Sequence, residues 1–266
     1  MAVLKEISDL NFPELKPYTD TSELSLKRDG IFIAESPKVI RTAMDSGYEP
    51  VSLLIEDKYI SGQAEDIISR CGNIPVFHGS SETLTELSGY KLTQGILAAM
   101  KRRDLPDAKS IMKTANRIAL LEDIMNQTNT GAIFRSAAAL GFEAVILTGG
   151  SSDPLFRRSV RVSMGSVFQI PWAYIDGASP EYIRTLKRNG FVTAAMALRS
   201  DTITIDDTRL TDADKLAVVL GTEGEGLKSS TIDECDHTIK IPMSHGVDSL
   251  NVAAASAVAF WQLGKH

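Results

Sequence analysis

Three short stretches from residue 129 onward carry the side chains best suited to chemistry. The first, Asn129-Thr130-Gly131-Ala132-Ile133-Phe134-Arg135, follows an apolar run and opens a helix. Asn129 suits an N-cap, and Gly131 lets the first turn approach another backbone or a phosphate. Arg135 lies about a turn and a half further on, although an arginine on a helix is by itself most often a solvated surface residue. The second stretch, Leu220-Gly221-Thr222-Glu223-Gly224-Glu225-Gly226-Leu227, stands at the C-terminal end of an apolar strand, where open α/β sheets bind ligands. It is neither the GxGxxG dinucleotide fingerprint nor a P-loop. Glu223 and Glu225 would repel a phosphate, so the loop fits a neutral or cationic ligand, or else a tight turn with no ligand. In the third stretch, Ile241-Pro242-Met243-Ser244-His245-Gly246-Val247-Asp248-Ser249-Leu250-Asn251-Val252-Ala253, a strand passes through a loop into the last helix. Ser249 or Asn251 caps that helix, or the loop presents amides, a hydroxyl and a carboxamide to a small polar molecule. His245 is a candidate base, but Ser249, His245 and Asp248 lack the GxSxG elbow of a hydrolase triad.

The elements that must hold these stretches follow from periodicity. Ile118–Leu121, Ala144–Leu147, Pro171–Ile175, Val192–Leu198, Leu216–Leu220 and Thr238–Ile241 read as strands. Helices are expected over Asn129–Leu140, Leu155–Met164, Pro180–Arg188, Leu227–Ile232 and Asn251–Leu263. Apolar strands alternating with helices predict a mostly parallel sheet covered on both faces. Ahead of this, the chain to about Lys27 reads as irregular. Strands are then expected at Ile31–Ala34, Val51–Ile55, Ile74–Phe77 and Gln94–Met100. Ser36-Pro37 opens a helix as N-cap and first helical residue, and Gly47 stops it. The predicted organisation is an N-terminal α/β domain over 1–103, a linker over 104–116 and a second α/β domain over 117–266. The linker is expected because Pro106 breaks a segment dense in cations: Lys101, Arg102, Arg103, Lys109, Lys113 and Arg117.

With 43% hydrophobic and 23% charged residues, the 266-residue chain can bury a sizeable core. Its net charge of −6 counts against a uniformly basic nucleic-acid binder and leaves room only for local basic patches. Cys71 and Cys235 stand alone, so neither a disulfide framework nor a metal site is expected. The first residues do not read as a secretory signal, and no apolar run approaches the roughly 20 residues of a membrane span. A cytoplasmic protein is the expectation.

In this order, the three stretches resemble the three motifs of the SpoU (TrmH-like) methyltransferases of the SPOUT superfamily. Asn129, Gly131 and Arg135 match the first, Gly221-Thr222-Glu223-Gly224 the second, and Ile241-Pro242-Met243 with Ser249-Leu250-Asn251-Val252 the third. Val162-Ser163-Met164-Gly165-Ser166 before Ile170-Pro171 is similar to the family's SxGA helix and Pro-led strand. Ala34-Glu35-Ser36-Pro37-Lys38-Val39 and Gln94-Gly95-Ile96-Leu97-Ala98 resemble segments of the ribosomal-protein-like domain often fused ahead of it. Two departures stand out: Ala253 replaces a frequent serine, and Gly246 is displaced next to His245.

The resemblance implies an α/β catalytic domain with a C-terminal trefoil knot, preceded by a small RNA-binding α/β domain. It implies a homodimer that uses S-adenosylmethionine to methylate a ribose 2′-hydroxyl in structured RNA, ribosomal RNA ahead of transfer RNA. No metal is required, because a sulfonium methyl is already electrophilic. The cofactor pocket would take Thr193, Ala194 and Ala195 at a strand end, Gly221, Thr222, Glu223 and Gly224, and Ile241, Met243, Ser249, Leu250 and Asn251. Arg135, Asn129, Glu223, Ser249 and Asn251 would serve the reaction. Because a guanidinium is a donor and not an acceptor, Arg135 fits a role in stabilising developing alkoxide charge better than that of a literal base. Arg157, Arg158, Arg161, Lys101, Arg102 and Arg103 would contact RNA phosphates. The competing readings are a transfer-RNA 2′-O-methyltransferase, an RNA-binding protein that has lost the reaction, and an unrelated α/β enzyme with a nucleotide at glycines 221, 224 and 226.

Overall fold

The computed structural model describes residues 2–19, 22–246 and 249–265. In chain order it runs β1 (Val3–Glu6), α1 (Lys16–Thr19), α2 (Glu23–Arg28), β2 (Ile31–Glu35), α3 (Pro37–Asp45), β3 (Pro50–Glu56), α4 (Glu65–Arg70), β4 (Pro75–Gly79), α5 (Ser81–Ser88) and β5 (Ile96–Lys101). There follow α6 (Ala108–Thr114), β6 (Arg117–Leu121), α7 (Gln127–Ala139), β7 (Ala144–Leu147), α8 (Arg157–Ser163), β8 (Trp172–Tyr174) and α9 (Glu181–Arg188). The chain ends with β9 (Val192–Met196), β10 (Ile203–Thr204), α10 (Thr208–Thr211), β11 (Leu216–Leu220), α11 (Ser229–Glu234), β12 (His237–Lys240) and α12 (Val252–Leu263). Among the described residues, no helix is long and apolar enough to cross a membrane.

Two compact units form, and the division is not the one expected from the sequence. The first comprises Met1–Asp104 together with Leu155–Gln169, the second Leu105–Pro154 together with Ile170–His266. Sheet order in the first unit is β1-β4-β3-β5-β2, with β1, β4 and β3 parallel and β5 antiparallel to both β3 and β2. Ser36 caps α3 by accepting from Val39 N–H (3.3 Å), with Pro37 at the first helical position. Leu26, Ile33, Leu54, Phe77, Leu84 and Leu97 bury one side of the sheet. The segment 155–169 completes this unit: the Phe168 ring lies 5.6 Å from Phe32 and 5.0 Å from Tyr48. Arg157 reaches the buried Glu35 carboxylate at 3.1 Å. Nothing in the periodicity of 155–164 marks this, since an amphipathic helix packs as readily on one sheet as on another.

The second unit holds a seven-stranded, wholly parallel sheet in the order β10-β12-β9-β11-β6-β7-β8. The predicted linker is in part a structural helix. Ala108, Ile111 and Met112 of α6 are buried in the core with Ile118, Ile146, Leu186 and Val219, because their i, i+3, i+4 spacing gives the basic segment one apolar face. The first residues were expected to be irregular, yet Val3–Glu6 adds a parallel edge strand to β4; its residues are mostly exposed, so it has little apolar patterning to announce it. The last helix is fastened at its far end. Arg117, 1% exposed, donates to the carbonyls of Leu263 (2.9 Å), Asp214 (3.0 Å) and Ala213 (2.8 Å). Phe142 and Phe260 stack at 4.0 Å, and a Cβ on Gly264 would lie 1.9 Å from the Leu140 carbonyl oxygen, so only glycine fits.

Candidate active site

Every loop carrying one of the three motifs leaves the second unit's sheet at the C-terminal end of a strand. In the order found, β7 and β8 lie to one side of β6 while β11, β9 and β12 lie to the other, and that reversal is where open parallel sheets form a ligand crevice. A cavity of about 630 Å³ lies beside it, over the ends of β9, β11 and β12, walled by Met196–Leu198, Gly221–Gly226, Ile241, Met243 and Ser249–Val252. Ligand sites for nucleoside-sized molecules span about 300–1,000 Å³.

The loop after β11 is shaped by its own backbone. Thr222 and Gly226 exchange N–H···O=C bonds at 3.2 Å. Gly221 packs so tightly on Gly226 and Leu227 that a Cβ would fall 2.4 Å from the Gly226 carbonyl carbon, and Gly226 sits at φ +70°. The glycines predicted to admit a ligand therefore serve the turn first; at Gly224 alone a Cβ would meet open space within 4 Å and has an ordinary φ.

Three polar side chains from distant segments meet at the cavity rim. Asn129 Nδ2 donates to Glu223 Oε1 at 2.7 Å. Asn251 Nδ2 donates to the same Glu223 oxygen and to Asn129 Oδ1 at 3.2 Å. Asn251 also caps α12, its Oδ1 accepting from Ala253 N–H at 2.9 Å, as expected of a cap. Asn129 is not the cap of α7: Asn126 is, accepting from Thr128 N–H (2.8 Å) and Asn129 N–H (3.3 Å). The helix starts two residues before the predicted N-cap, which puts Asn129, 6% exposed, inside the first turn and facing Glu223. Beyond this cluster a smaller hollow of about 160 Å³ is lined by Asp123, Ile124, Met125, Asn126, Asn129, Thr222, Glu223 and Val252.

Of the predicted cofactor residues, Gly221, Thr222, Glu223, Gly224, Ile241, Met243, Ser249, Leu250 and Asn251 line the cavity. Thr193, Ala194 and Ala195 do not. They are buried within β9, where Thr193 N–H and Oγ1 donate to Asp236 (2.9 and 2.8 Å), and the strand's exit at Met196, Ala197 and Leu198 takes their place. Burial opposes ionisation of Asp236, yet the Thr193 and Lys187 donors outweigh it and hold the carboxyl below its usual range.

Arg135 is exposed on α7, outside the cavity lining, with no hydrogen bond or ion pair among the described residues. Asp248 and Val247 of the third motif lie outside the described residues. His245 sits at φ +57° beside Gly246 at +71°, an exposed turn that forms no triad with Ser249 among the described residues.

The predicted phosphate contacts belong to the first unit. Lys101, Arg158 and Arg161 are exposed. Arg157, by contrast, is engaged internally: its guanidinium pairs with Glu35 and lies 4.5 Å from the Tyr90 ring centre, and its N–H donates to Glu23 at 2.9 Å. Arg102 and Arg103 donate to the carbonyls of Ile31 (3.1 Å) and Ser46 (2.8 Å).

The cavity suits S-adenosylmethionine. Leu198, Leu220, Ile239, Leu250 and Val252 give an apolar slot, and backbone groups of Leu198, Ile241, Met243 and Leu250 have no protein partner among the described residues, leaving edges for a purine to pair with. Glu223 and Glu225 place negative charge on the loop, which favours a sulfonium and an ammonium over a phosphate.

Comparisons with known proteins give the family and the fold. The model of the SpoU rRNA Methylase family matches residues 116–261. An uncharacterized tRNA/rRNA methyltransferase of Mycobacterium tuberculosis is 31% identical over 265 residues, 97% of this chain and 91% of its own length. The 23S rRNA (guanosine-2′-O-)-methyltransferase RlmB of Escherichia coli K12 is 30% identical over 185 residues, 67% of this chain and 74% of the relative. Among solved structures, the AdoMet-bound rRNA methyltransferase of Sinorhizobium meliloti superposes with TM-score 0.83 at 23% identity, over 98% of this chain and 97% of that one, and so shares the fold. The chain belongs to the SpoU rRNA Methylase family.

Proposed function

We propose that this protein transfers the methyl group of S-adenosylmethionine to a ribose 2′-hydroxyl in structured RNA, with ribosomal RNA as the substrate ahead of transfer RNA. The observation that carries this is the meeting of Asn129, Glu223 and Asn251, one from each motif, at the rim of a cavity fitted to the cofactor. The relative named as a 23S rRNA 2′-O-methyltransferase supports the acceptor atom and the RNA class; the relative named tRNA/rRNA methyltransferase keeps transfer RNA as the alternative.

When bound, S-adenosylmethionine supplies a methyl group already activated by its sulfonium, so the protein's task is alignment and charge stabilisation. Backbone groups of Ile241, Met243 and Leu250 would hold its purine, and Glu223 and Glu225 would offset its positive charge. Asn129 and Asn251 fix the Glu223 carboxylate, and Ser249 adds a hydroxyl to the wall. The hollow lined by Asp123, Met125 and Asn126 receives the acceptor nucleotide on the other side of this cluster. Arg135 grips the adjoining phosphate and stabilises alkoxide charge as the 2′-hydroxyl proton leaves to a phosphate oxygen or water.

The same reading carries a homodimer, a trefoil knot and an RNA-binding first unit. Val258 and Trp261 of α12, 39% and 65% exposed, with Ala254 one turn before, leave an apolar stripe on the helix that packs against α7, the carrier of Arg135. A partner subunit on this stripe would cover it and complete the surroundings of Arg135. The knot is supported by the return of the C-terminal segment to β6, where Arg117 holds Leu263. Lys101, Arg158 and Arg161 remain the phosphate contacts of the first unit.

Calorimetry with S-adenosylmethionine, followed by transfer of a labelled methyl group to unmodified ribosomal and transfer RNA transcripts, tests the reading. Label recovered in a ribose 2′-O-methyl of ribosomal RNA is expected. Cofactor uptake with label only in transfer RNA would shift the substrate class, and RNA binding without cofactor uptake would leave a silent RNA-binding protein.

A further inference from the structure

A buried carboxylate that none of the three motifs contains stands beneath the loop after β11. Glu122, the residue following β6, is 1% exposed. Its backbone N–H donates to the carbonyl of Leu220, the last residue before the loop, at 2.8 Å. Its Oε1 accepts from the N–H of Lys228, the first residue after the loop, at 2.7 Å. One residue thus fastens both feet of the segment Gly221–Leu227.

The second carboxylate oxygen is also engaged. Oε2 accepts from the hydroxyls of Tyr182 and Thr231, both buried, and these hydroxyls lie 2.8 Å from each other. Burial, with the neighbouring carboxylate adding to it, pushes the Tyr182 phenol well above its usual range, so it stays a donor. The next residue adds an outer tie, with Asp123 Oδ2 and Lys228 Nζ 2.7 Å apart, but this pair is partly exposed and contributes little.

We infer that Glu122 is a positioning residue for the cofactor site, setting the place of the loop that bears Glu223 by holding its far foot on a buried carboxylate while its own backbone N–H holds the near one. The consequence for binding rests on the function proposed above; the closure itself does not. An alanine here strips the acceptor from the Lys228 amide and leaves the far foot to the partly exposed Asp123–Lys228 tie and the Thr222–Gly226 pair within the loop. A glutamine preserves the arrangement, because its carbonyl still accepts from Lys228 while its amide donates to the two hydroxyls.

Amide hydrogen exchange and S-adenosylmethionine calorimetry on the full chain, both well below each variant's unfolding temperature, test this. In Glu122→Ala, exchange at Thr222, Gly226 and Lys228 is expected to quicken by about tenfold or more while Val218 and Val219 in β11 stay protected. The cofactor dissociation constant should rise by about tenfold, with turnover at saturating cofactor changed by less than about threefold. Glu122→Gln should restore both readouts, and Lys228→Met, which removes only the outer tie, should leave both near wild type. Loop amides as protected in Glu122→Ala as in wild type would overturn the inference, as would unchanged cofactor affinity in a variant whose loop has loosened. A wild-type protein that takes up no S-adenosylmethionine would defeat the functional reading instead, and the exchange data alone would then decide the clamp.

Discussion

Arg135 and Asn251 sit at opposite poles of what a single residue reveals. Asn251 joins the cap of α12, the carboxamide of Asn129 and the carboxylate of Glu223 in one set of bonds. Arg135 touches nothing comparable in its own chain, so its place in the reaction depends on what comes to it. Arg135→Ala should cut methyl transfer by about a hundredfold or more while cofactor affinity, measured by calorimetry, stays within about twofold. A variant with near-normal turnover would remove Arg135 from the mechanism. The outer tie of the loop makes a pH prediction. Lys228, helped by Thr148, holds the Asp123 carboxyl below the usual carboxylate range despite burial. A depressed carboxyl stabilises the fold above its unfolded pKa and loses that contribution as pH falls through the folded one. The stability difference between wild type and Lys228→Met, followed by denaturant unfolding from pH 7 downward, should therefore be small, under about 1 kcal/mol, and vanish at acid pH. Residue-level legibility was uneven for a physical reason. Asn129, Glu223 and Asn251 stood out because their motifs are local in sequence. Glu122 and Arg117 did not, because a buried charge looks like any other until partners distant in sequence, such as Lys228 and Leu263, are folded against it.

At the scale of elements, strand and helix periodicity carried most of the second unit, since fully buried parallel strands such as Leu216–Leu220 and Ala144–Leu147 are continuous apolar runs. Periodicity could not say which sheet a helix covers. α8 follows β7 of the second unit in the chain yet belongs to the first unit, where Arg157 meets Glu35. This changes the expected role of Arg157 from phosphate contact to internal partner. Arg157→Met should destabilise the protein by roughly 2–3 kcal/mol, the lower range for stranding a buried carboxylate, because Arg161 stands 4.0 Å from Glu35 and compensates in part. Adding Glu35→Leu should recover most of that loss. Thermal unfolding of the single and double variants checks it; lost RNA affinity with unchanged stability would return Arg157 to the RNA footprint. The N-cap of α7 teaches a similar lesson: Asn126 and Asn129 are equally good caps by type, and only the fold chooses the earlier one.

For the whole molecule, the net charge of −6 and an RNA substrate are reconciled by locality: exposed cations of the first unit include Lys101, Arg158 and Arg161, while acidic Glu223 and Glu225 sit at the cofactor loop. The apolar stripe of α12 makes the association state a prediction as well. Sedimentation should report a dimer that Val258→Arg dissociates, with methylation lost alongside; an active wild-type monomer would contradict the shared site. The proposed activity is a single act, the placing of a methyl group on a ribose oxygen. Mapping ribose 2′-O-methyl sites across total RNA from cells with and without the gene measures that act directly. Loss of one or a few sites in ribosomal RNA, regained with the wild-type chain but not with Arg135→Ala, is the predicted result. An unchanged map would contradict it.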